Sequence, residues 1–416
     1  MVHSNLSALD RLLSKKLRKT MGEAPIRIVV GGTEGKSGSA GKPVATVVIP
    51  DRRTLAGLVL NREVTFGEAY SQGRIRIEGD LVKMLEALLR PTRSAADRSW
   101  YGKLMSRWLE WVQANTLKGS ANNIHRHYDL TAEFYRLWLD SRLVYTCAYF
   151  PDESTPLERA QVAKMDYVCR KVQLRPGDSV VEAGCGWGAL ALHIAKRYGA
   201  RVRAFNISRE QIRLARERAK QEGLTSRVEF IEDDYRNISG RYDVFLSVGM
   251  LEHVGRENYE DLGRVIHRTI GDAGRGLLHF IGRNWPHEFS PWIRKRIFPG
   301  AYAPALTEAV RIFEPWDFSV VDVENLRWHY AKTLEHWLAR FERATKRVTE
   351  MYGAEFVRAW RLYLAGSLAS FRVGALQLFQ VVFAGPNYRQ IPWTRAHLYQ
   401  EESRPAAAEK WTHATF

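Results

Sequence analysis

Residues 179–188 read Ser179-Val180-Val181-Glu182-Ala183-Gly184-Cys185-Gly186-Trp187-Gly188, a β-type apolar run that ends in three glycines at alternate positions. Glycine permits a tight backbone turn and lets the chain come close to a ligand. Residues 189–198 then carry a helical pattern, so the stretch reads as strand, turn, helix. Working outward, a strand at 201–206, a helix at 209–222, strands at 228–231 and 242–248, a helix at 259–270 and a strand at 276–281 follow. Strands and helices alternating at this spacing define an α/β fold with a doubly wound, Rossmann-like parallel sheet. Ligands of such sheets bind beyond the carboxyl ends of the strands.

A Gly-x-Gly-x-Gly turn alone has little specificity, and its context has more. Glu182 stands two positions before Gly184, where a carboxylate suits the ammonium of a methionine moiety. The glycine spacing differs from the Gly-x-Gly-x-x-Gly that packs dinucleotide phosphates. Together these point to S-adenosylmethionine (SAM) on a class I methyltransferase fold, with Gly184 and Gly186 at the cofactor. The second strand normally ends in an acid for the ribose hydroxyls; here Asn206-Ile207-Ser208 and Gln211 offer neutral polar groups instead. Asp234, after the third strand, is placed to accept from an adenine amino group. Two other readings stay open, a purely structural turn and a dinucleotide dehydrogenase. Thermal shifts with SAM and with NAD separate them.

With 416 residues and 45% hydrophobic composition, two domains are expected. Sixty-two Lys and Arg against 46 Asp and Glu give a net charge of +16, which favours an anionic partner: nucleic acid, a phospholipid surface or an acidic substrate. Cys147, Cys169 and Cys185 form no Cys-x-x-Cys pair and no histidine cluster accompanies them, so neither a disulfide scaffold nor a metal site is expected, and a cytoplasmic setting fits. No apolar run reaches the roughly 18 residues of a membrane span. Asp10, Arg11, Lys15 and Lys16 interrupt any signal-peptide core, so contact with a membrane is expected to be peripheral, from its inner face. Residues 4–19 place Leu6, Leu9, Leu13 and Leu17 at helical spacing among Arg11, Lys15, Lys16, Arg18 and Lys19. That suits an interfacial helix, or equally a helix packed on its own domain.

Residues 25–50 alternate in β fashion around a Gly/Ser-rich stretch, which reads as a hairpin with a long loop. Strand-like residues at 64–66 and 74–77 and a helix at 80–89 complete a small α+β domain over residues 1–100, suited to lipid docking or dimerisation. Residues 90–99 make the linker, 116–400 the larger domain and 401–416 a polar, frayed tail.

Four more segments carry titratable groups at strand ends or in aromatic loops: 127–130 (His-Tyr-Asp-Leu), 145–150 (Tyr-Thr-Cys-Ala-Tyr-Phe), 249–255 (Gly-Met-Leu-Glu-His-Val-Gly) and 278–282 (Leu-His-Phe-Ile-Gly). With the glycine turn they resemble the cyclopropane fatty acid synthase family, including the mycolic acid cyclopropane synthases. The resemblance runs from about residue 120 to about 385, ending in Gln377-Leu378-Phe379-Gln380-Val381-Val382-Phe383, and is weaker over residues 1–100 apart from Gly67-Glu68-Ala69-Tyr70. It implies transfer of a methyl from SAM to a cis double bond of an unsaturated phospholipid acyl chain at an anionic membrane surface, then proton loss to bound bicarbonate and ring closure. It also implies a homodimer. The bicarbonate site it implies comprises Glu252, His279, the Tyr330 hydroxyl and backbone groups of Cys147 and Ile281; Tyr128, Tyr145 and Thr146 would close over SAM, joined by Gly184, Gly186, Ser208, Gln211 and Asp234. Plainer roles stay open: a helix cap for Glu252, a satisfied strand-end histidine for His279, core packing for Tyr330. Cys147 has no histidine beside it in sequence and is not expected to act as a nucleophile.

Residues 283–345 hold Trp285, Trp292, Ile293, Ile297, Phe298, Trp316, Phe318, Trp328 and Trp337, and this segment is expected to form the acyl-chain tunnel, with Arg294, Lys295 and Arg296 near lipid phosphates. Departures from the family pattern are Asn206 at the second strand end, Phe280 after His279, and Arg74-Ile75-Arg76-Ile77 in place of a Trp-rich stretch. They bear on product and substrate, and methyl or methylene branching without ring closure is the related alternative. A nucleic-acid methyltransferase is the rival class, disfavoured because Glu252-His253-Val254 stands where an Asn/Asp-Pro-Pro-Tyr motif would be, so no nucleic-acid partner is expected.

Overall fold

Ile26, Ile28 and Val30 are buried in alternation, and so are Ala45, Val47 and Ile49, as in strands that turn one face to a core. The computed structural model describes residues 7–22, 24–31, 33–34, 43–89 and 130–399; Tyr128, the expected linker and the tail lie outside them. The first unit contains helix α1 (Ala8–Met21), strands β1 (Ile26–Val30), β2 (Thr33–Glu34) and β3 (Ala45–Ile49), helices α2 (Arg52–Leu60) and α3 (Arg62–Ser71), strand β4 (Arg76–Gly79) and helix α4 (Leu81–Leu88). Its sheet has the order β2-β1-β3-β4. The expected hairpin is not formed: β1 and β3 run parallel, with Ile28 opposite Val47. Period-two alternation is the same for parallel and antiparallel neighbours, and β2 occupies the antiparallel edge of β1 instead.

Residues 64–66, expected as strand, lie inside α3. Gly67, Ala69, Tyr70 and Ser71 are its buried residues, and the small ones let the helix approach its neighbour closely, so packing overrides the β preference of Val64 and Thr65. The leucine stripe of α1 is divided. Leu17 is buried and Leu13 packs on the core, whereas Leu9 is 49% exposed and Leu6 lies outside the described residues. A Ser7–Asp10 capping box starts the helix, and the Arg52 Nε donates to Asp10 at 2.6 Å, tying α1 to α2.

The second unit follows as α5 (Ala132–Arg136), α6 (Leu157–Lys171), β5 (Ser179–Ala183), α7 (Ala189–His193), β6 (Arg201–Asn206), α8 (Arg209–Gln221), β7 (Val228–Glu232), β8 (Val244–Val248), α9 (Leu251–Val254), α10 (Tyr259–Ile270) and β9 (Arg275–Gly282). After it come α11 (Pro291–Arg296), α12 (Leu306–Ala309), β10 (Ser319–Asn325), α13 (Arg327–Val373), β11 (Gln377–Ala384) and α14 (Ala396–Tyr399). Seven strands form one sheet in the order β10-β11-β9-β8-β5-β6-β7. It is parallel except for β11, which runs antiparallel to both β9 and β10. Both faces are covered: Val180, Leu246 and Leu277 pack with Ile194 and Ile212, and Val181, Phe245 and Leu278 pack with Leu262 and Ile266. Every residue of β8 and β11 is buried, as expected of strands covered on both faces, and both are mainly apolar, interrupted by Ser247, Gln377 and Gln380.

The long helix α13 breaks at Gly353, whose φ of 82° and ψ of 165° leave the helical region. Beyond the break it lies against α3 and α4 of the first unit. Arg358 Nε donates to the Ser71 carbonyl at 2.7 Å, and Arg372 pairs with Glu86 at 2.9 Å. Gly67 carries no Cβ because one would meet the Trp292 indole at 2.3 Å, and Glu68 pairs with Lys295 at 3.2 Å and with Arg296. The Gly67-Glu68-Ala69-Tyr70 motif is thus the seam between the units.

Candidate active site

The glycine turn leaves β5 with the Gly184 and Cys185 amides donating to the Phe205 carbonyl at 2.9 and 3.0 Å. Gly186, at φ 52°, faces open space: an added Cβ would meet nothing within 4 Å. Gly188, at φ 80°, is closed in, since a Cβ there would lie 2.6 Å from Phe230 Cζ. One glycine therefore leaves room for a ligand and the other lets helix and sheet pack. Glu182 is 2% exposed, and its Oε2 has no hydrogen-bond partner among the described residues. Burial pushes its carboxyl up to about 7, against the pull of Lys164. The carboxyl also takes a backbone hydrogen bond from Ala191, and its remaining oxygen, buried near open backbone, suits the ammonium of SAM.

At the second strand end, Asn206 Nδ2 donates to Gln211 Oε1 at 2.7 Å and to the Gly186 carbonyl at 3.3 Å. Ser208 caps α8 by accepting from the Gln211 amide. Ser208 and Gln211 thus hold the strand end in shape and are already bonded to each other. Asp234 accepts from the Arg236 amide at 2.9 Å and pairs with its guanidinium at 3.2 Å.

Glu252 lies on α9, just past β8, and is 5% exposed. Its Oε1 accepts from the Ile281 amide at 2.6 Å, and its Oε2 is buried without a partner among the described residues. Burial pushes the carboxyl up to about 7, against the pull of that amide. The Ile281 amide thus serves Glu252. His279, also on β9, accepts at Nδ1 from the Gln380 side-chain amide at 3.0 Å, which leaves Nε2 to carry the ring proton. That Nε2 is buried and unpartnered among the described residues. Burial, with Lys164 and Lys171 nearby, holds the ring well below the usual histidine range and so neutral. Glu252 thus offers a buried oxygen that can accept and His279 a buried ring N–H that can donate.

Glu252, Ile281 and Tyr330 line one cavity of about 750 Å³ together with Tyr145 and Thr146, within the range of small-molecule sites. Cys147 and His279 are buried outside that lining. Burial raises the Cys147 thiol far above its usual range, which disfavours the thiolate form that a nucleophile needs. The cavity extends past the expected tunnel segment: Ile28, Val47, Ile49, Leu58, Phe66 and Leu85 of the first unit form part of its wall. Of the apolar residues singled out in 283–345, Trp285, Trp292, Ile293 and Phe298 line it. Trp316 and Phe318 do not; they pack beside Phe383 on the far face of the sheet, and Trp328 is 62% exposed. That segment also contains β10, an edge strand of the main sheet. Arg294, Lys295 and Arg296, expected near phosphates, are taken up by carboxylates, Arg294 by Glu288 at 2.5 Å and the other two by Glu68.

Three groups beneath the 145–150 loop were not expected from sequence. Gln161 Nε2 donates to the Thr146 carbonyl at 2.9 Å and to the Val144 carbonyl at 3.3 Å. Lys164 Nζ donates to Thr146 Oγ1 at 3.1 Å, and burial brings this lysine down to about 8. Tyr363 meets Tyr145 hydroxyl to hydroxyl at 2.8 Å. Polar residues three apart on the buried face of α6 were the available signal for the first two.

A seven-stranded sheet with one antiparallel strand, an open glycine turn after β5 and a buried acid just before that turn define a class I SAM-dependent methyltransferase. The mycolic acid cyclopropane synthetase family matches residues 115–381. A probable fatty acid methyltransferase of Pseudomonas putida is 32% identical over 372 residues, 86% of this chain and 92% of that one. The cyclopropane-fatty-acyl-phospholipid synthase of Escherichia coli K12 is 39% identical over 259 residues, 62% of this chain and 66% of its own. A solved mycolic acid cyclopropane synthase complexed with SAH and CTAB superposes with a TM-score of 0.60 at 28% identity, over 63% of this chain and 97% of that one. The chain belongs to the mycolic acid cyclopropane synthetase family. Among the described residues, no helix is long and apolar enough to cross a membrane.

Proposed function

We propose that the protein transfers a methyl group from SAM to the cis double bond of an unsaturated phospholipid acyl chain and closes it to a cyclopropane ring. The observation that carries the proposal is a largely apolar cavity of about 750 Å³ with the Glu252 carboxyl in its wall. An alkene is a weak nucleophile, so the reaction needs a strong electrophile held in line and kept dry. SAM, when bound, supplies that electrophilic methyl. Glu182 would hold its ammonium, with the backbone at Gly186 leaving room beside it. Tyr145, Tyr330 and Tyr363 line the cavity, where aromatic faces stabilise the positive charge that the chain acquires. The apolar wall keeps water from quenching that charge.

Ring closure requires removal of a proton from the added methyl. Bicarbonate, held by Glu252 Oε2 in the cavity wall with the buried His279 Nε2–H reaching it from behind that wall, would supply the base. Glu252, raised to about 7, can take either protonation state at neutral pH and so can accept from a bound hydroxyl, while His279 stays neutral and donates. The net charge of +16 favours meeting the acyl chain at an anionic bilayer surface.

The test is incubation with SAM and unsaturated phosphatidylglycerol vesicles, followed by mass analysis of the fatty acids. A gain of one methylene unit is expected; unchanged lipid with label transferred to RNA would overturn the proposal. The 32% identity to a probable fatty acid methyltransferase supports a second reading, a branch without a ring, which NMR of the same product distinguishes.

A further inference from the structure

A charge taken out of water needs a partner, and an arginine does not escape by losing its proton. Arg283 is 8% exposed and lines the cavity. It follows β9 directly, two residues beyond Ile281, and its amide donates to the Pro304 carbonyl at 2.9 Å, which fixes the backbone. Its guanidinium forms no ion pair with any described residue, and its Nε is buried without an acceptor. The group lies over the Phe289 ring at 4.8 Å, and its Nη1 contacts His287 Nε2.

The histidine contact orients the cation without neutralising it. His287 Nδ1 lies 2.9 Å from the Trp285 carbonyl, which can only accept, so Nδ1 carries the proton and Nε2 offers its lone pair to Arg283. The imidazole ring is stacked on Trp285 at 3.9 Å. Of the nearby acids, Glu288 is bound to Arg294 and Glu63 is exposed. Burial lowers Arg283 to about 10, which leaves it cationic at neutral pH. Lys295 and Arg296, by contrast, share Glu68 at the seam, and Arg296 also reaches Glu355 at 3.2 Å.

We infer that Arg283, oriented by His287, binds an oxyanion carried by the amphiphile that fills the cavity, either the phosphodiester of a lipid headgroup or the carboxylate of a fatty acid. The guanidinium fork suits both. The inference rests on the reading of the cavity as an acyl-chain site, and the experiment separates the two.

Displacement of Nile red from the full-length protein is measured with oleyl alcohol, oleate and 1-oleoyl-lysophosphatidylglycerol, ligands of one chain and three heads. The wild-type protein is expected to prefer at least one anion over the alcohol by about tenfold or more, and the anion that gains identifies the source. Arg283→Met removes that preference and leaves the affinity for oleyl alcohol unchanged, which also shows that the variant is folded. Arg283→Lys, which keeps the charge and loses the fork, retains an intermediate preference. Equal binding of alcohol and both anions by the wild type, or an undiminished preference in Arg283→Met, overturns the anion site and spares the acyl cavity. Failure of all three ligands to bind the wild type overturns both.

Discussion

Replacing Glu252 by Gln should change how stability depends on pH, in a direction set by its burial. The carboxyl titrates near 4.5 in an unfolded chain and at about 7 in the folded one, because burial disfavours its charged form more than the Ile281 amide favours it. Between those values the folded state holds more protons than the unfolded state, so the wild-type protein loses stability as pH rises from about 4.5, and the loss is complete above about 7. A shift of that size corresponds to about 3 kcal/mol. Glu252→Gln cannot ionise, yet its side-chain oxygen can still accept from Ile281. The unfolding free energy of the variant minus that of the wild type should therefore rise by about 3 kcal/mol between pH 4 and pH 8. Glu182 titrates in both proteins and cancels in the difference. Urea denaturation at a series of pH values, without SAM, measures it. A difference that does not move with pH would refute the reasoning, and one that falls would mean that Glu252 is ionised and paired inside the fold.

In turnover with SAM and unsaturated lipid, Glu252→Gln and Tyr330→Phe should each lose at least about a hundredfold in rate while SAM affinity by calorimetry stays near wild type; loss of SAM binding in both would move the base site elsewhere. Because Glu182 sits at about 7, SAM binding at pH 7 should release about half a proton, read as a dependence of binding enthalpy on buffer ionisation that Glu182→Gln abolishes. Cys147→Ser should keep most of the activity, and a maleimide at pH 7.5 should leave Cys147 of the native protein unlabelled; a covalent adduct there would contradict its burial. Gly67→Ala forces a methyl toward the Trp292 indole and should cost about 1–3 kcal/mol in thermal or chemical denaturation, with oleyl alcohol binding weakened as well.

The strand-turn-helix at 179–198 was legible because one local pattern, apolar strand then glycines then helix, admits few folds, and the later alternation of strands and helices repeats it. Glu252 and His279 were legible as titratable groups at strand ends. What escaped was set by contacts distant in sequence. Parallel and antiparallel strands share one alternation, so the direction of β3 depended on where β2 settled. Val64 and Thr65 favour strands locally but lie in a helix that packs on Trp292. Arg294, Lys295 and Arg296 were the visible basic run, yet each is ion-paired, with Glu288, Glu68 and Glu355 as the acids, whereas Arg283 forms no ion pair with a described residue. Charge in a sequence is countable; whether it is compensated depends on partners that folding selects.

The shared wall of the cavity has a consequence for synthesis. Translation delivers the four-stranded sheet first, with Ile28, Val47 and Ile49 on the face that later borders the cavity. The opposing residues, Ile281, Trp292, Leu334 and Leu362, come from the far half of the chain. At ordinary elongation rates that delay is on the order of tens of seconds. During that time the nascent chain presents these apolar residues without the partners that later face them, so chaperone supply and translation speed, more than final stability, should govern how much of the protein reaches its folded form.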